Sequence, residues 1–67
     1  MNYAKRFFDG GNWLRDLPQF MEGYTACENG ESIDDNPYDD DKSAIGMLHG
    51  LTWSYGFYVA IDDRNSD

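Results

Sequence analysis

The chain has 67 residues, which is enough for one small domain and too few for a second. Thirteen acidic and five basic residues give a net charge of −8, which repels nucleic acids and anionic membrane surfaces and favours cationic partners. No apolar stretch approaches the ~20 residues that span a bilayer. No signal peptide is visible either, so we expect a cytoplasmic protein.

The N-terminal segment, residues 1–12, begins with apolar side chains at helical spacing. Tyr3, Phe7 and Phe8 suit one helical turn packed on the core. The Asp-Gly-Gly-Asn run at residues 9–12 then breaks the helix, and Asp-Gly also starts hairpins. The pattern leaves two alternatives open, a short helix or a hairpin.

A first helix is predicted over residues 16–29. Asp16 has the position of an N-cap, with Gln19 at the spacing of a capping box, and Pro18 falls in the first turn, where a missing N–H group is tolerated. Gly30 is placed to end the helix in a left-handed conformation. The apolar stripe of this helix comprises Leu17, Phe20, Met21, Tyr24 and Cys27.

The acidic loop, residues 30–41, joins this helix to the next one. Pro37 biases Asn36 away from helical dihedral angles. Ile33 and Tyr38 are the only large apolar side chains of the loop, and we expect them to hold it against the core. The acidic loop is therefore predicted to be ordered despite its charge.

A second helix is predicted over residues 41–62, with Asp40 or Asp41 as its cap. Its apolar face is wide, so the helix is either central in the fold or part of an interface. Gly46 and Gly50 each cost about 1 kcal/mol relative to Ala, which indicates close approach of another element. The apolar face comprises Ala44, Met47, Leu48, Leu51, Tyr55 and Tyr58, with Trp53, Phe57, Ala60 and Ile61 beside them.

These elements together predict a mostly α fold in a single domain, residues 1–67. Two main helices are joined by the ordered acidic loop, a short helix or hairpin precedes them, and residues 63–67 form a tail that frays.

The sequence carries no arrangement typical of catalysis or of metal binding. Cys27 is the only cysteine, which excludes an intramolecular disulfide, and we expect it to be a buried apolar side chain. His49 is far from it, so no zinc site is predicted. Read as a calcium loop from Asp34, the acidic run places Asp39 and Ile45 where the EF-hand needs Gly and Glu. We predict a protein that is not an enzyme and has no cofactor and no metal.

Two runs of residues resemble a known pattern. The run from Gly23 to Tyr38 reads Gly-Tyr-x-Ala-x3-Gly-x-Ser-x4-Pro-Tyr, and the run from Trp53 to Ala60 reads Trp-x2-Gly-Phe-x2-Ala. Both are similar to motifs of the ribosome modulation factor family, with Phe57 in place of a second Trp and a longer connection between the runs. The matching residues are Gly23, Tyr24, Ala26, Gly30, Ser32, Pro37, Tyr38, Trp53, Gly56, Phe57 and Ala60.

The resemblance implies two helices joined by an ordered loop, in close contact at their small residues. It also implies association with ribosomes, because members of this family bind ribosomal RNA and silence ribosomes in stationary phase. Those members are strongly basic. Residues 22–41 of this chain instead hold eight acidic and no basic side chains, so the electrostatic attraction to RNA has changed sign. Similar patterns also occur in small phage proteins.

The leading hypothesis is a small, non-catalytic acidic binding protein, encoded by a phage. It would act in the bacterial host cytoplasm by docking on a basic, nucleic-acid-binding surface of a host protein and blocking it as a nucleic-acid mimic. The residues expected to carry docking are Glu28, Glu31, Asp34, Asp35, Asp39, Asp40 and Asp41, with Tyr38 as the aromatic anchor.

Three alternatives stay open. The acidic loop is a solvated segment that only keeps the protein soluble. The protein associates with ribosomes, through a ribosomal protein or through Lys5, Arg6 and Arg15. The protein is a self-associating structural subunit, a homodimer packed through its aromatic, glycine-containing second helix.

Overall fold

The computed structural model describes residues 12–65, and two α-helices dominate it. Helix α1 spans Pro18–Glu28 and helix α2 spans Ala44–Arg64. One short 3-10 turn, Asn12–Asp16, precedes α1, and a second, Ile33–Asp35, lies in the acidic loop. The predicted mostly helical fold, with two main helices joined by an ordered acidic loop, is confirmed.

The helix or hairpin predicted at the N-terminus rests on residues 1–11, which lie outside the described part of the chain. The described part begins with the first 3-10 turn, which the sequence did not predict. Leu14 anchors this turn, since its side chain is only 3% exposed and packs against Phe20, Tyr55 and Val59.

Helix α1 begins at Pro18, and the predicted cap at Asp16 is wrong. Asp16 is the last residue of the 3-10 turn, while Leu17 occupies the N-cap position in an extended conformation and supplies no side-chain cap. The reason is steric: the residue before a proline is pushed out of the helical region, so the helix begins only at the proline itself. The capping box predicted with Gln19 therefore does not form.

Gly30 ends α1 as predicted. Its φ of +83° lies in the left-handed region, where a side chain would be strained. The amide of Gly30 donates to the carbonyl of Cys27 at 3.0 Å, and the amide of Glu31 donates to the carbonyl of Ala26 at 3.0 Å. This pair of bonds is a Schellman motif, which satisfies two carbonyls at the helix end.

Helix α2 begins three residues later than predicted and continues further. Ser43, rather than Asp40 or Asp41, is the N-cap, and its Oγ accepts from the Gly46 amide at 3.1 Å. At the other end, residues predicted to fray are helical up to Arg64, whose guanidinium donates to the carbonyl of Cys27 at 3.2 Å. That contact with α1 keeps the last turn folded.

The two helices cross where glycines remove all side-chain bulk. A Cβ atom on Gly23 would overlap the carbonyl group of Trp53, and one on Gly56 would overlap the carbonyl group of Phe20. The predicted close contact between helices at small residues is therefore confirmed. A glycine inside a helix costs stability because of its backbone entropy. The close approach of the two backbones explains why glycine occupies these two positions despite that cost.

The core lies on both sides of this crossing. On one side Phe20 meets Tyr55 edge to face, with ring centroids 5.4 Å apart. On the other side Trp53 stacks on Phe57, also at 5.4 Å, against Ala26 and Cys27. The Cys27 thiol is buried, and burial raises its pKa, which agrees with the predicted apolar role. Met21, predicted in the α1 stripe, is instead 55% exposed.

Candidate functional site

The acidic loop lies on the surface, and all seven acidic side chains assigned to docking are exposed: Glu28, Glu31, Asp34, Asp35, Asp39, Asp40 and Asp41. Within residues 12–65 there are eleven acidic and three basic side chains. The negative charge predicted from sequence is thus presented to solvent rather than neutralised inside the protein.

A buried asparagine joins the acidic loop to α2. The side-chain amide nitrogen of Asn36 donates to the Gly50 carbonyl at 3.0 Å and to the Ser54 hydroxyl at 3.2 Å. Its side-chain oxygen accepts from the Tyr38 amide at 2.9 Å, which shapes the turn around Pro37. Asn36 is only 8% exposed, so these bonds form away from water and fix the loop on the helix.

Tyr38 joins the same loop to α1. Its hydroxyl donates to Glu22 at 2.7 Å, and this bond, together with partial desolvation, raises the pKa of the Tyr38 phenol. Its ring packs against the core cluster that contains Trp53, and its edge meets His49 with centroids 5.6 Å apart. Ile33 packs on the same cluster. The prediction that Ile33 and Tyr38 hold the loop against the core is confirmed.

Two of the loop carboxylates have structural partners. Asp35 accepts from the Ser32 amide at 2.9 Å, and Ser32 in turn caps the second 3-10 turn. Asp41 accepts from the Ser43 amide at 3.0 Å and from the Ser43 hydroxyl at 2.6 Å, and these bonds lower the pKa of the Asp41 carboxyl. Both carboxylates therefore shape the loop as well as contributing charge.

The other acids of the loop have no comparable structural task in the described chain. Asp34, Asp39 and Asp40 are exposed, and the hydrogen bonds that they make run through their backbone groups. Their carboxylates face water at the loop surface. These three, together with Glu31, whose hydrogen bond also runs through its backbone amide, are the loop residues whose negative charge is most directly available to another molecule.

The three basic side chains of the described chain are all engaged within it. The Arg15 guanidinium carbon lies 5.6 Å from the ring centroids of both Phe20 and Tyr55, and Arg15 Nε donates to the Tyr55 hydroxyl at 3.1 Å. Lys42 donates to the Asp39 carbonyl at 3.4 Å, and Arg64 donates across to α1. Arg15 thus packs its guanidinium against two core rings while it stays exposed, and the role that the ribosome alternative assigns to it stays a prediction.

The linked pair Ser43 and Asp41 gives a first prediction. We expect Ser43→Ala to lower the free energy of unfolding by about 1 kcal/mol, because the first turn of α2 loses its cap. Asp41 also loses the hydroxyl donor, while the backbone amide of residue 43 still donates to it, so its ionised form, whose pKa lies below the ordinary value of 3.8, stabilises the fold less. Urea unfolding at pH 7 and pH 3 measures both effects.

The stability that the Asp41 carboxylate contributes is lost as the pH falls. Since the folded-state pKa of Asp41 is lowered, its contribution is present above pH 3.8 and disappears as the pH falls through the lowered pKa. The difference in the free energy of unfolding between wild type and Ser43→Ala should therefore be smaller at pH 3 than at pH 7. Ser43→Thr keeps a hydroxyl cap and serves as the control. A Ser43→Ala variant as stable as the wild type at pH 7 would contradict the assignment of Ser43 as the N-cap of α2.

An open groove of about 360 Å³ lies between the acidic loop and the start of α2. Tyr38, Asp39 and Lys42 form the loop side, while Met47, Gly50 and Leu51 form the helix side. Met47 is 65% exposed and Leu51 is 49% exposed. These two residues belong to the apolar face that the sequence predicted for α2, and this part of the face has no cover among the described residues.

A second groove, of about 320 Å³, lies at the far end of α2 and is polar. Tyr24 donates to Asp63 at 2.7 Å there, and Asp63 raises the pKa of Tyr24. Within residues 12–65, no three metal-ligating side chains come together, and no helix has the length and apolar character needed to cross a membrane.

Sequence reasoning missed Asn36 as a structural residue. The sequence predicts only that Pro37 keeps Asn36 out of the helical region, although an asparagine side chain commonly bonds the backbone two residues on. That local signal predicts the bond to the Tyr38 amide. The bonds to Gly50 and Ser54 depend on the tertiary fold, and nothing in the local sequence indicates them.

Comparison of the chain with protein-family models, with curated proteins and with solved structures found no match. The resemblance to the ribosome modulation factor family therefore stays a prediction.

Proposed function

We propose that this protein is a non-catalytic binding protein that docks its acidic loop on a basic, nucleic-acid-binding surface of another protein and blocks that surface. The observation that carries the proposal is the loop itself: an exposed acidic segment fixed to α2 by the hydrogen bonds of Asn36 and to α1 by the bond from Tyr38 to Glu22. Asp34, Asp39 and Asp40 supply charge that no structural task in the described chain requires.

The fixed shape of the acidic loop favours binding over a purely solubilising role. A segment that only keeps a protein soluble needs charge and no defined conformation. Here Asn36, Tyr38, the Ser32–Asp35 cap and the Asp41–Ser43 pair hold the backbone in one conformation. A preorganised loop loses little conformational entropy when a partner binds, so more of the interaction energy contributes to affinity.

The charge determines the class of partner. Binding to nucleic acid depends on Lys and Arg that neutralise phosphates, and the three described basic side chains each donate a hydrogen bond within the protein. An acidic face instead attracts basic protein surfaces, raises the rate of encounter and competes with nucleic acid for them.

The test is a competition experiment in bacterial lysate with the immobilised protein. We expect it to retain basic proteins, and we expect added RNA or 0.5 M salt (a concentration at which the Debye length falls to about 4 Å) to release them. The triple variant Asp34→Asn, Asp39→Asn, Asp40→Asn should retain at least tenfold less of the same proteins.

The matched control changes the same three residues to glutamate, which keeps the charge. Retention should survive this change because electrostatic docking depends on charge more than on side-chain length. Equal retention by the wild type and the asparagine variant would rule out docking through the acidic loop, and retention that RNA does not reduce would rule out nucleic-acid mimicry.

A further inference from the structure

We infer that the groove beside the acidic loop receives an apolar side chain of the partner, and that the partner segment is a basic amphipathic helix. This inference rests on the proposed function and names the chemistry of the partner. It follows from the position of exposed apolar side chains directly next to the acids.

The groove combines the two features that such a helix needs. Met47 and Leu51 are four residues apart on α2, so they lie on one face of the helix and form a continuous apolar strip. Asp39 and Asp41 lie on the opposite wall, at the edge of the acidic loop. An apolar residue of the partner fits the strip while its basic residues meet the carboxylates.

Gly50 lines the groove without a side chain. The space where a Cβ would stand is 3.4 Å from Tyr38 Cβ. Lys42 also lines the groove, with its amine bonded to the Asp39 carbonyl. That single cation sits at the loop side, where the carboxylates outnumber it.

Charge favours this partner over a second copy of the chain. Two copies joined through the groove would bring two acidic loops together, and each chain carries a net charge of −8. Like charges at a shared interface oppose association. A cationic partner is attracted by the same charges. The apolar strip and the acidic edge therefore both contribute to affinity only when the partner segment is basic.

Two synthetic helical peptides of equal positive charge test the inference by fluorescence anisotropy. One carries leucine at two positions four residues apart, and the other carries serine there. We expect the leucine peptide to bind the wild type about tenfold more tightly. Leu51→Ser should remove most of that difference, while Ile45→Ser, at another exposed apolar residue of α2 outside the groove, should leave it unchanged.

The outcomes separate this inference from the proposed function. If both peptides bind equally and both weaken with salt, the groove has no role and docking by charge stands. If neither peptide binds in low salt, both proposals fail. If light scattering finds a dimer that Leu51→Ser dissociates, a second copy occupies the groove and the inference is overturned. Circular dichroism checks that each variant is folded.

Discussion

Alanine at Gly23 or at Gly56 is expected to destabilise the protein strongly. The added methyl group would occupy the space of a carbonyl group on the opposite helix, so the helices must separate. Overpacking of this kind costs about 3 kcal/mol, and the better helix propensity of alanine offsets only about 1 kcal/mol. A domain of this length has a stability of about 3–10 kcal/mol. Thermal unfolding followed by circular dichroism should show a melting temperature lower by about 10 °C or more.

Gly50→Ala is the matched control for this prediction. Gly50 is also in the interior of a helix, but a Cβ there would meet only ordinary contacts, 3.4 Å from Tyr38 Cβ and 3.8 Å from Asn36 Nδ2. We expect no loss of stability and a gain of up to about 1 kcal/mol. A Gly23→Ala protein as stable as Gly50→Ala would mean that the helices do not cross as described.

Asn36→Asp is expected to release the acidic loop from α2. The change replaces the amide nitrogen by a carboxylate oxygen that would face the Gly50 carbonyl, so the hydrogen bond to Gly50 is lost and a buried negative charge lies against an acceptor. We expect the free energy of unfolding to fall by about 3 kcal/mol at pH 7. Urea unfolding measures this loss, and amide hydrogen exchange should show faster exchange across the loop.

Asn29→Asp controls for the change in charge. Asn29 is exposed at the end of α1, so the same substitution buries nothing there. Its expected cost is below about 1 kcal/mol, because only the unfavourable charge at a helix C-terminus contributes. Equal destabilisation by the two substitutions would show that the buried bonds of Asn36 are not what holds the loop.

The helical fold was predictable because its signals are local. Pro18, Gly30 and the spacing of apolar residues fix the two helices without reference to the rest of the chain. The wrong predictions concern the helix caps, where a neighbouring residue determines which residue occupies the cap position. Leu17 replaced Asp16 as the cap because of the following proline, and Ser43 replaced Asp41 because its hydroxyl reaches the Gly46 amide.

The acidic residues of the site were predictable from the sequence, but the conformation of the loop that carries them was not. The run of acids is visible in the sequence, and charged side chains are expected to be exposed. The sequence does not show which of these acids also shape the loop, since that depends on which carboxylate lies next to Ser32 or Ser43 after folding. The groove was unpredictable for the same reason: helical periodicity alone did not distinguish Met47 and Leu51 from the buried side chains of α2.

The acidic loop is proposed to recognise cationic surfaces and to avoid polyanions. Amide chemical shifts of the folded protein test it most directly, with an arginine-rich peptide added to one sample and single-stranded RNA to another at 0.15 M salt. We expect the peptide to shift signals of residues 31–42 and of the first turns of α2, these shifts to fade as salt is raised, and RNA to shift none. Tight binding of RNA at this ionic strength, or peptide-induced shifts spread evenly over the protein, would contradict it.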